Sequence, residues 1–429
     1  MSRSNPPTPT GPDAFPEHPH PGPRVLARRF LVWNFLRAVL HNGWWLVTSL
    51  YMAVDAGLSP AQLLLIAAAQ GVASILFEVP AGVVADTLGR KKAIVASHVL
   101  MATAMAVTGL FPSFVPLMLA QMLWGISWTF TSGSDVAWAT DEIDRPDRIH
   151  LLIAAQARWQ MIGAGAGIVA FGVLAAIVDR PTAIVCAGVL MLLLGTWFTA
   201  AFPEKNFVRV RKDHLKAALG IARRGARLAV TDRTILMLVV VTVLVNGAAD
   251  TFGRIYPVHL ADLGLPPGAS GMAGFTAINL AVYATAALAL AAVQRRLDSD
   301  GGARTFLALS CLAGLVSLVL LGLASSLPVA VAAVIATNGI AMPLVRTVTT
   351  IWVNRRTDSD IRATTHSFLA QAEYAGEILC AAALAALAGT FGPGGTMLLA
   401  ATLFAAGAGT VALNRSRAKS PSEGVSPSG

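Results

Sequence analysis

Residues 78–92 read Glu78-Val-Pro80-Ala-Gly82-Val-Val-Ala-Asp86-Thr-Leu-Gly89-Arg90-Lys91-Lys92. They straddle the end of one long apolar run, residues 61–84, and the start of another, residues 93–111. Glycine permits a close helix approach or a positive φ, and an aspartate can accept from a neighbouring helix N-terminus. The stretch is therefore a tight polar turn between two helices. About 20 apolar residues rising 1.5 Å each cross ~30 Å of hydrocarbon, so each flanking run is a candidate membrane span.

Outward from this turn the pattern repeats. The chain of 429 residues is 55% hydrophobic and 13% charged, with a mean hydropathy of +0.64, against roughly 25% charged residues in an ordinary globular protein. A soluble fold, a disordered chain and a nucleic-acid-binding module are excluded on that balance. Twelve apolar runs follow one another at residues 30–54, 61–84, 93–111, 116–139, 151–178, 182–202, 234–257, 271–293, 305–324, 329–352, 363–387 and 397–413. None alternates as a barrel strand does, and lipid cannot satisfy open backbone, so the spans are helices. Cys186, Cys311 and Cys380 lie inside apolar runs and read as small core residues.

Of the 32 Lys and Arg residues, 27 fall in the two tails and the alternate loops on one side, and only Arg180 falls in the opposite loops. The positive-inside rule then makes both termini cytoplasmic in the cell (inner or plasma) membrane, and the net charge of +9 needs no nucleic-acid partner. Residues 1–28 and 415–429 read as disordered cytoplasmic tails, 29–202 and 234–414 as two six-helix bundles, and 203–233 as a cytoplasmic linker. Within the linker, residues 213–230 have the composition of a basic amphipathic helix on the inner membrane surface, with a plain connector as the alternative.

Charged side chains in a bilayer cost several kcal/mol unless paired or hydrated, so they mark the protein interior. Spans three, six, nine and twelve carry none, as expected if each triplet of helices places its last member outermost. Span eight also carries none. Asp298-Ser-Asp-Gly301-Gly-Ala-Arg304 after span eight repeats the Asp-x-x-Gly spacing of the turn after span two. Six-plus-six spans with such an echo form an internal-repeat architecture of the transporter kind.

The stretch from Gly82 to Lys91 and Lys92, with Glu78-Val-Pro80 before it, resembles the loop motif of the major facilitator superfamily. Arg362-Ala363-Thr364 at the start of span eleven resembles a subset of drug or general substrate exporters. The resemblance implies an all-α membrane protein with twelve helices in two six-helix bundles of 3+3 inverted repeats. Helices one, four, seven and ten would line a central cavity open to each side in turn. It also implies that Gly82, Asp86, Gly89, Arg90 and Lys91 form a gating motif, with Asp86 docked on the second bundle.

Other site residues are read from depth and spacing. Glu78, Asp135 and Arg158 fall in the cytoplasmic third of their spans with Arg346 at a similar depth. They predict an inner-gate ion network whose central pair is Asp135–Arg158, with a static structural bridge as the alternative. Arg37, at a similar depth, is expected to snorkel to headgroups. Asp250 and Arg254 share one face of span seven and read as a salt bridge within the helix or as an outer gate. Glu373 and Glu377 also lie four apart, near the midplane of span eleven. Two carboxylates on one face repel, and a low dielectric favours holding a proton, so both are proton-coupling candidates, Glu377 first. Permanent pairing with Arg346 or another cation is the alternative. His41, Asn42, Trp45, Trp124, Trp128, Asn246 and Asn338 predict an aromatic, weakly polar cavity for an amphipathic organic molecule, or else packing of the rings on one another. Gly163 and Gly167 predict close helix packing.

These features point to a proton-driven secondary transporter exporting a small organic molecule. An uptake symporter for a metabolite differs only in direction, and a receptor or scaffold is the alternative of another class. Neither HExxH, GxSxG nor a Walker lysine motif occurs, so neither an enzyme nor an ATP-driven pump is expected. No cofactor and no metal are expected, and the chain is expected to act as a monomer with a small-molecule substrate and the bilayer as partners.

Overall fold

The computed structural model describes residues 22–143, 149–209, 216, 219–220, 223–225, 227, 231–294, 300–357 and 359–414. Among them the secondary structure is helical throughout. Both expected terminal tails lie mostly or wholly outside these residues. So do most of the expected linker helix and, in the second-half turn at residues 298–304, residues 298 and 299.

Span one is Pro23–Val54, span two Pro60–Leu88 and span three Arg90–Leu110. Span four is broken into Phe114–Thr131 and Ser134–Ile143, and spans five and six are Ile149–Ile177 and Arg180–Ala201. Spans seven, eight and nine are Arg233–Asp262, Gly268–Gln294 and Asp300–Gly322. Span ten runs from Leu327–Ala336 through a π-helical turn, Thr337–Ala341, into Met342–Arg356. The last helix, Ser359–Leu413, breaks at Gly392 (φ 64°), which divides it into spans eleven and twelve. Ten segments among the described residues are long and apolar enough to cross a membrane. Span one falls outside that set because Asn34, Arg37, His41 and Asn42 interrupt it, and the last two spans count there as one segment.

Local chemistry sets the helix starts. Ser59 and Gln62 close a reciprocal capping box before span two, and the Asp179 and Asp232 carboxylates accept backbone N–H groups at the starts of spans six and seven. Pairing of the helices then repeats between the halves. In the first half span one packs on span five, where a Cβ on Gly163 or Gly167 would strike the carbonyl oxygen of Phe35 or Val39. In the second half span seven packs on span eleven, where a Cβ on Gly376 would strike the carbonyl oxygen of Val243. The close packing expected of Gly163 and Gly167 is thus present. Spans three and six pair with each other, and Arg304 of span nine donates to the carbonyls of Val411 and Ala412 in span twelve. Spans three and six, and spans nine and twelve, therefore pair at matching places in the two bundles.

The bundles meet on the side away from the termini. Gly71 of span two abuts Ile378 of span eleven, and Gly172 of span five abuts Thr276 of span eight.

Candidate substrate cavity

A cavity of about 700 Å³ lies between the bundles. From the predicted set, Asn42, Trp45, Asn246, Asp250, Arg254, Asn338, Arg346 and Glu373 line it. Asn42 and Asn246 each donate one amide N–H to the carbonyl four residues back, Ala38 and Thr242. Asn279 of span eight does the same to Phe275. Each carboxamide oxygen is thereby turned away from its own helix, and each finds a partner on another span. Tyr283 OH donates to Asn42 Oδ1 at 3.5 Å, Tyr256 OH to Asn279 Oδ1 at 3.3 Å, and Arg346 Nη2 to Asn246 Oδ1 at 3.4 Å. Asn338 stands on the π-helical turn of span ten, a feature common at functional sites.

Charge is concentrated at the two ends. Away from the termini, Arg254 is 4% exposed and its Nη2 donates to Gln70 Oε1 of span two at 2.6 Å. Its Nε lies 3.6 Å from Asp250 Oδ1, and its Cζ sits 5.0 Å from the Trp45 ring centroid. Arg254 Nη1 and Asp250 Oδ2 are buried without a hydrogen-bond partner among the described residues. The pair bridges within span seven, and Arg254 also reaches Gln70 and Trp45 of the first bundle. Toward the termini, Arg346 Nη2 lies 3.6 Å from Glu373 Oε2, and the Arg346 side chain is 69% exposed. Glu377, one turn beyond Glu373, is half-buried with no hydrogen bond or ion pair to a described residue. Asp250, Glu373, Arg254 and Arg346 are all within its electrostatic reach.

The expected inner-gate network is not assembled. Span four breaks at Gly133 (φ 75°), so Asp135 opens a new helical segment and its Oδ1 accepts from the backbone N–H of Val136. Gln156 Nε2 takes Oδ2 at 3.1 Å. Arg158 is two residues further on, about 200° round the helix; it is exposed and donates to Ala154 O. The Asp135–Arg158 pair is therefore absent. Glu78 is exposed without an ion pair to a described residue, and Arg346 belongs with Glu373 instead.

Arg37 does not snorkel. It is 8% exposed, donates to Thr131 Oγ1 at 2.8 Å, and lies 5.7 and 5.0 Å from the ring centroids of Trp33 and Trp128. The break in span four leaves the Thr131 hydroxyl able to serve both Arg37 and Ser97.

Three of the expected aromatic residues stand off the cavity wall. His41 stacks on Trp124 at 5.5 Å and tilts against Trp128 at 5.2 Å, while Trp44 and Trp45 close around Trp124 at 6.0 and 5.3 Å. Only Trp45 of this cluster reaches the cavity, so packing of the rings on one another prevails over an aromatic cage. Asn279, Tyr256 and Tyr283 take the places that His41, Trp124 and Trp128 were expected to hold. Asn279 and Tyr283 sit four apart on a span without charges, and that spacing of polar groups is the signal that marks them.

Gly89, Arg90 and Lys91 of the loop motif contact span four and the start of the linker. Gly89 holds φ 123° and caps span three, where a Cβ would meet the Glu204 carboxylate. Glu204 Oε1 accepts from Lys91 N at 2.7 Å, so the group at this helix N-terminus is Glu204. Arg90 donates to Ala137 O at 2.9 Å and forms an ion pair with Asp141. Gly82 and Asp86 are half-buried on the last turns of span two. The expected Asp86 dock, at the start of span eleven, falls among side chains outside the description, as do Arg362, Ala363 and Thr364. Among the described residues, no group of three His, Cys, Asp or Glu side chains could hold a metal.

Comparison with known proteins fits this geometry. The crystal structure of the nucleoside transporter NupG superposes with a TM-score of 0.73 at 17% identity, covering 90% of this chain and 98% of that one. That of a D-xylose-proton symporter gives 0.67 at 13% identity over 90% and 97%. Likeness at these identities is likeness of fold. In sequence, the chain is 25% identical over 226 residues to the uncharacterized MFS-type transporter YxaM of Bacillus subtilis (strain 168). That match covers 51% of this chain, and the chain spans 56% of that relative's length. The sequence profile of the Major Facilitator Superfamily matches residues 33–299, so this multi-pass membrane protein belongs to that family.

Proposed function

We propose that the chain is a secondary transporter that carries a small organic molecule by alternating access, with proton movement as the driving force. The observation that carries this reading is the lone carboxyl of Glu377. It is half-buried one turn from the cavity-lining Glu373 and has no hydrogen bond or ion pair to a described residue, whereas Glu373, Asp250, Arg254 and Arg346 are engaged. A carboxyl without a permanent counter-ion can gain and lose a proton as the cavity changes sides.

The cavity wall favours a polar substrate over a drug-like one. Four asparagines and two tyrosines supply hydrogen bonds, and Trp45 supplies one ring face. That wall supports a second reading, uptake of a polar metabolite in symport, because export and uptake are the same cycle run in opposite directions. The fold relatives include a nucleoside transporter and a pentose symporter, so a labelled nucleoside and labelled D-xylose are sensible first probes.

In proteoliposomes with an imposed pH gradient, the native chain should accumulate one of a probe panel. Glu377→Gln should abolish that accumulation and retain exchange across the membrane without a gradient. Accumulation by Glu377→Gln equal to the native rate removes it from coupling. The orientation rests on the loop cations: a cysteine at exposed Pro266 should react with an impermeant thiol reagent from outside, and one at Lys92 should not. The opposite pattern reverses the assignment.

A further inference from the structure

A second cavity, of about 440 Å³, lies on the flank of the first bundle, between the start of span one and the end of span six. Its walls are Arg24, Val25, Arg28, Arg29 and Val32 with Trp197 opposite. None of these residues takes part in the central cavity.

The residues divide by depth. Arg29 Nη1 donates to Ala201 O at 2.7 Å, which caps the last turn of span six and sets residues 29 and 201 at one level. Arg24 and Arg28, one turn apart on a shared helix face, are exposed and make no hydrogen bond or ion pair with a described residue. Val32 lies three residues below Arg29 and Trp197 four below Ala201, about 4.5 and 6 Å deeper at 1.5 Å per residue. Val25 and Val32 are 46% and 41% exposed, and the Trp197 ring stands edge-on to Phe202 at 5.3 Å with its flank open.

Two guanidinium groups without a partner among the described residues thus stand at the rim, with an apolar wall directly beneath them. A free phosphate would use only the cations, and an apolar segment only the wall. A phospholipid uses both: its phosphate meets the arginines at the headgroup level, and its acyl chain runs down Val32 and the Trp197 ring. Trp is itself a residue of the membrane interface.

We propose that this groove binds one anionic phospholipid, the phosphate on Arg24 and Arg28 and one acyl chain against Val32 and Trp197. The bound lipid braces the entry of span one, whose middle carries Asn42 and Trp45 to the central cavity.

Native mass spectrometry of the full chain in neutral detergent tests this with phosphatidylglycerol, phosphatidylcholine and inorganic phosphate as probes. Phosphatidylglycerol should be retained at least fivefold more than phosphatidylcholine. Arg24→Gln with Arg28→Gln should remove that preference. Lys92→Gln with Arg209→Gln, which deletes two exposed cations elsewhere on the same face, should leave it intact. Trp197→Ala, with both arginines in place, should also lower retention severalfold in protein whose unfolding temperature is unchanged. Equal retention of the two lipids, equal loss in the Lys92/Arg209 control, displacement of the lipid by inorganic phosphate, or full retention in Trp197→Ala would each overturn the proposal.

Discussion

Arg254 of span seven and Gln70 of span two are joined by a 2.6 Å hydrogen bond across the two bundles, from a guanidinium that is 4% exposed. Gln70 is the neutral side chain that completes a charged cluster, and without it a buried Nη2 would lose its acceptor. A hydrogen bond to a charged group contributes about 1.5–3 kcal/mol, or roughly ten- to a hundredfold in a two-state population. Gln70→Leu should therefore loosen the closure on the side away from the termini. A cysteine at Ser49, which lines the cavity toward that side, should be labelled from there at least tenfold faster than in the native background. An unchanged rate would mean that the bond does not hold the bundles together.

Thr131 stands to Arg37 as Gln70 does to Arg254. The hydroxyl is the acceptor of a guanidinium buried between two indoles. Thr131→Val keeps the shape and deletes the oxygen, leaving a buried cation short of one partner. The expected cost is about 1–3 kcal/mol, read as a lowered unfolding temperature in detergent, and Thr131→Ser should recover most of it. Equal unfolding temperatures for Thr131→Val and the native chain would place the guanidinium's partner elsewhere.

Glu373 and Glu377 are one turn apart but differ in partnership, and that difference is testable. The Arg346–Glu373 pair spans 3.6 Å with side chains 69% and 35% exposed, and such a solvated pair contributes about 0–1 kcal/mol. Glu373→Gln should leave the unfolding temperature within about 3 °C of native, with gradient-driven accumulation still measurable. Loss of accumulation in Glu373→Gln with its retention in Glu377→Gln would exchange their roles.

The spans, the shared helix face of Asp250 and Arg254, four residues apart, and the close glycine packing were legible in the sequence, because each follows from lipid or helix geometry within one segment. What was not legible depends on how segments meet. The break at Gly133 turns Asp135 to Gln156 and leaves Arg158 outside, although depth alone paired the two charges. His41, Trp124 and Trp128 pack their rings on one another, a choice that composition leaves open. Asn279 and Tyr283, which face the cavity, are marked only by their spacing of four on a charge-free span, a pattern that does not say which way a neutral face is turned. Gln70 and Glu204 act as single polar groups on partners far away in sequence, and no local pattern marks such a residue.

The glycines of span five offer a test with its own control. A methyl at Gly167 would strike the Val39 carbonyl, whereas one at Gly165, two residues earlier and on the other side of the helix, meets nothing within 4 Å. Backbone cannot yield as a flexible side chain can, so Gly167→Ala must push spans one and five apart at a cost of about 1–3 kcal/mol. Gly165→Ala adds only helix propensity, up to about 1 kcal/mol in favour of folding. The second half repeats the device, so Gly376→Ala should behave like Gly167→Ala through the Val243 carbonyl. Thermal unfolding of the three variants should therefore give two losses and one neutral or stabilised protein. A loss at Gly165 as large as that at Gly167 would mean that helix flexibility, and not the approach of the two backbones, is what these glycines supply.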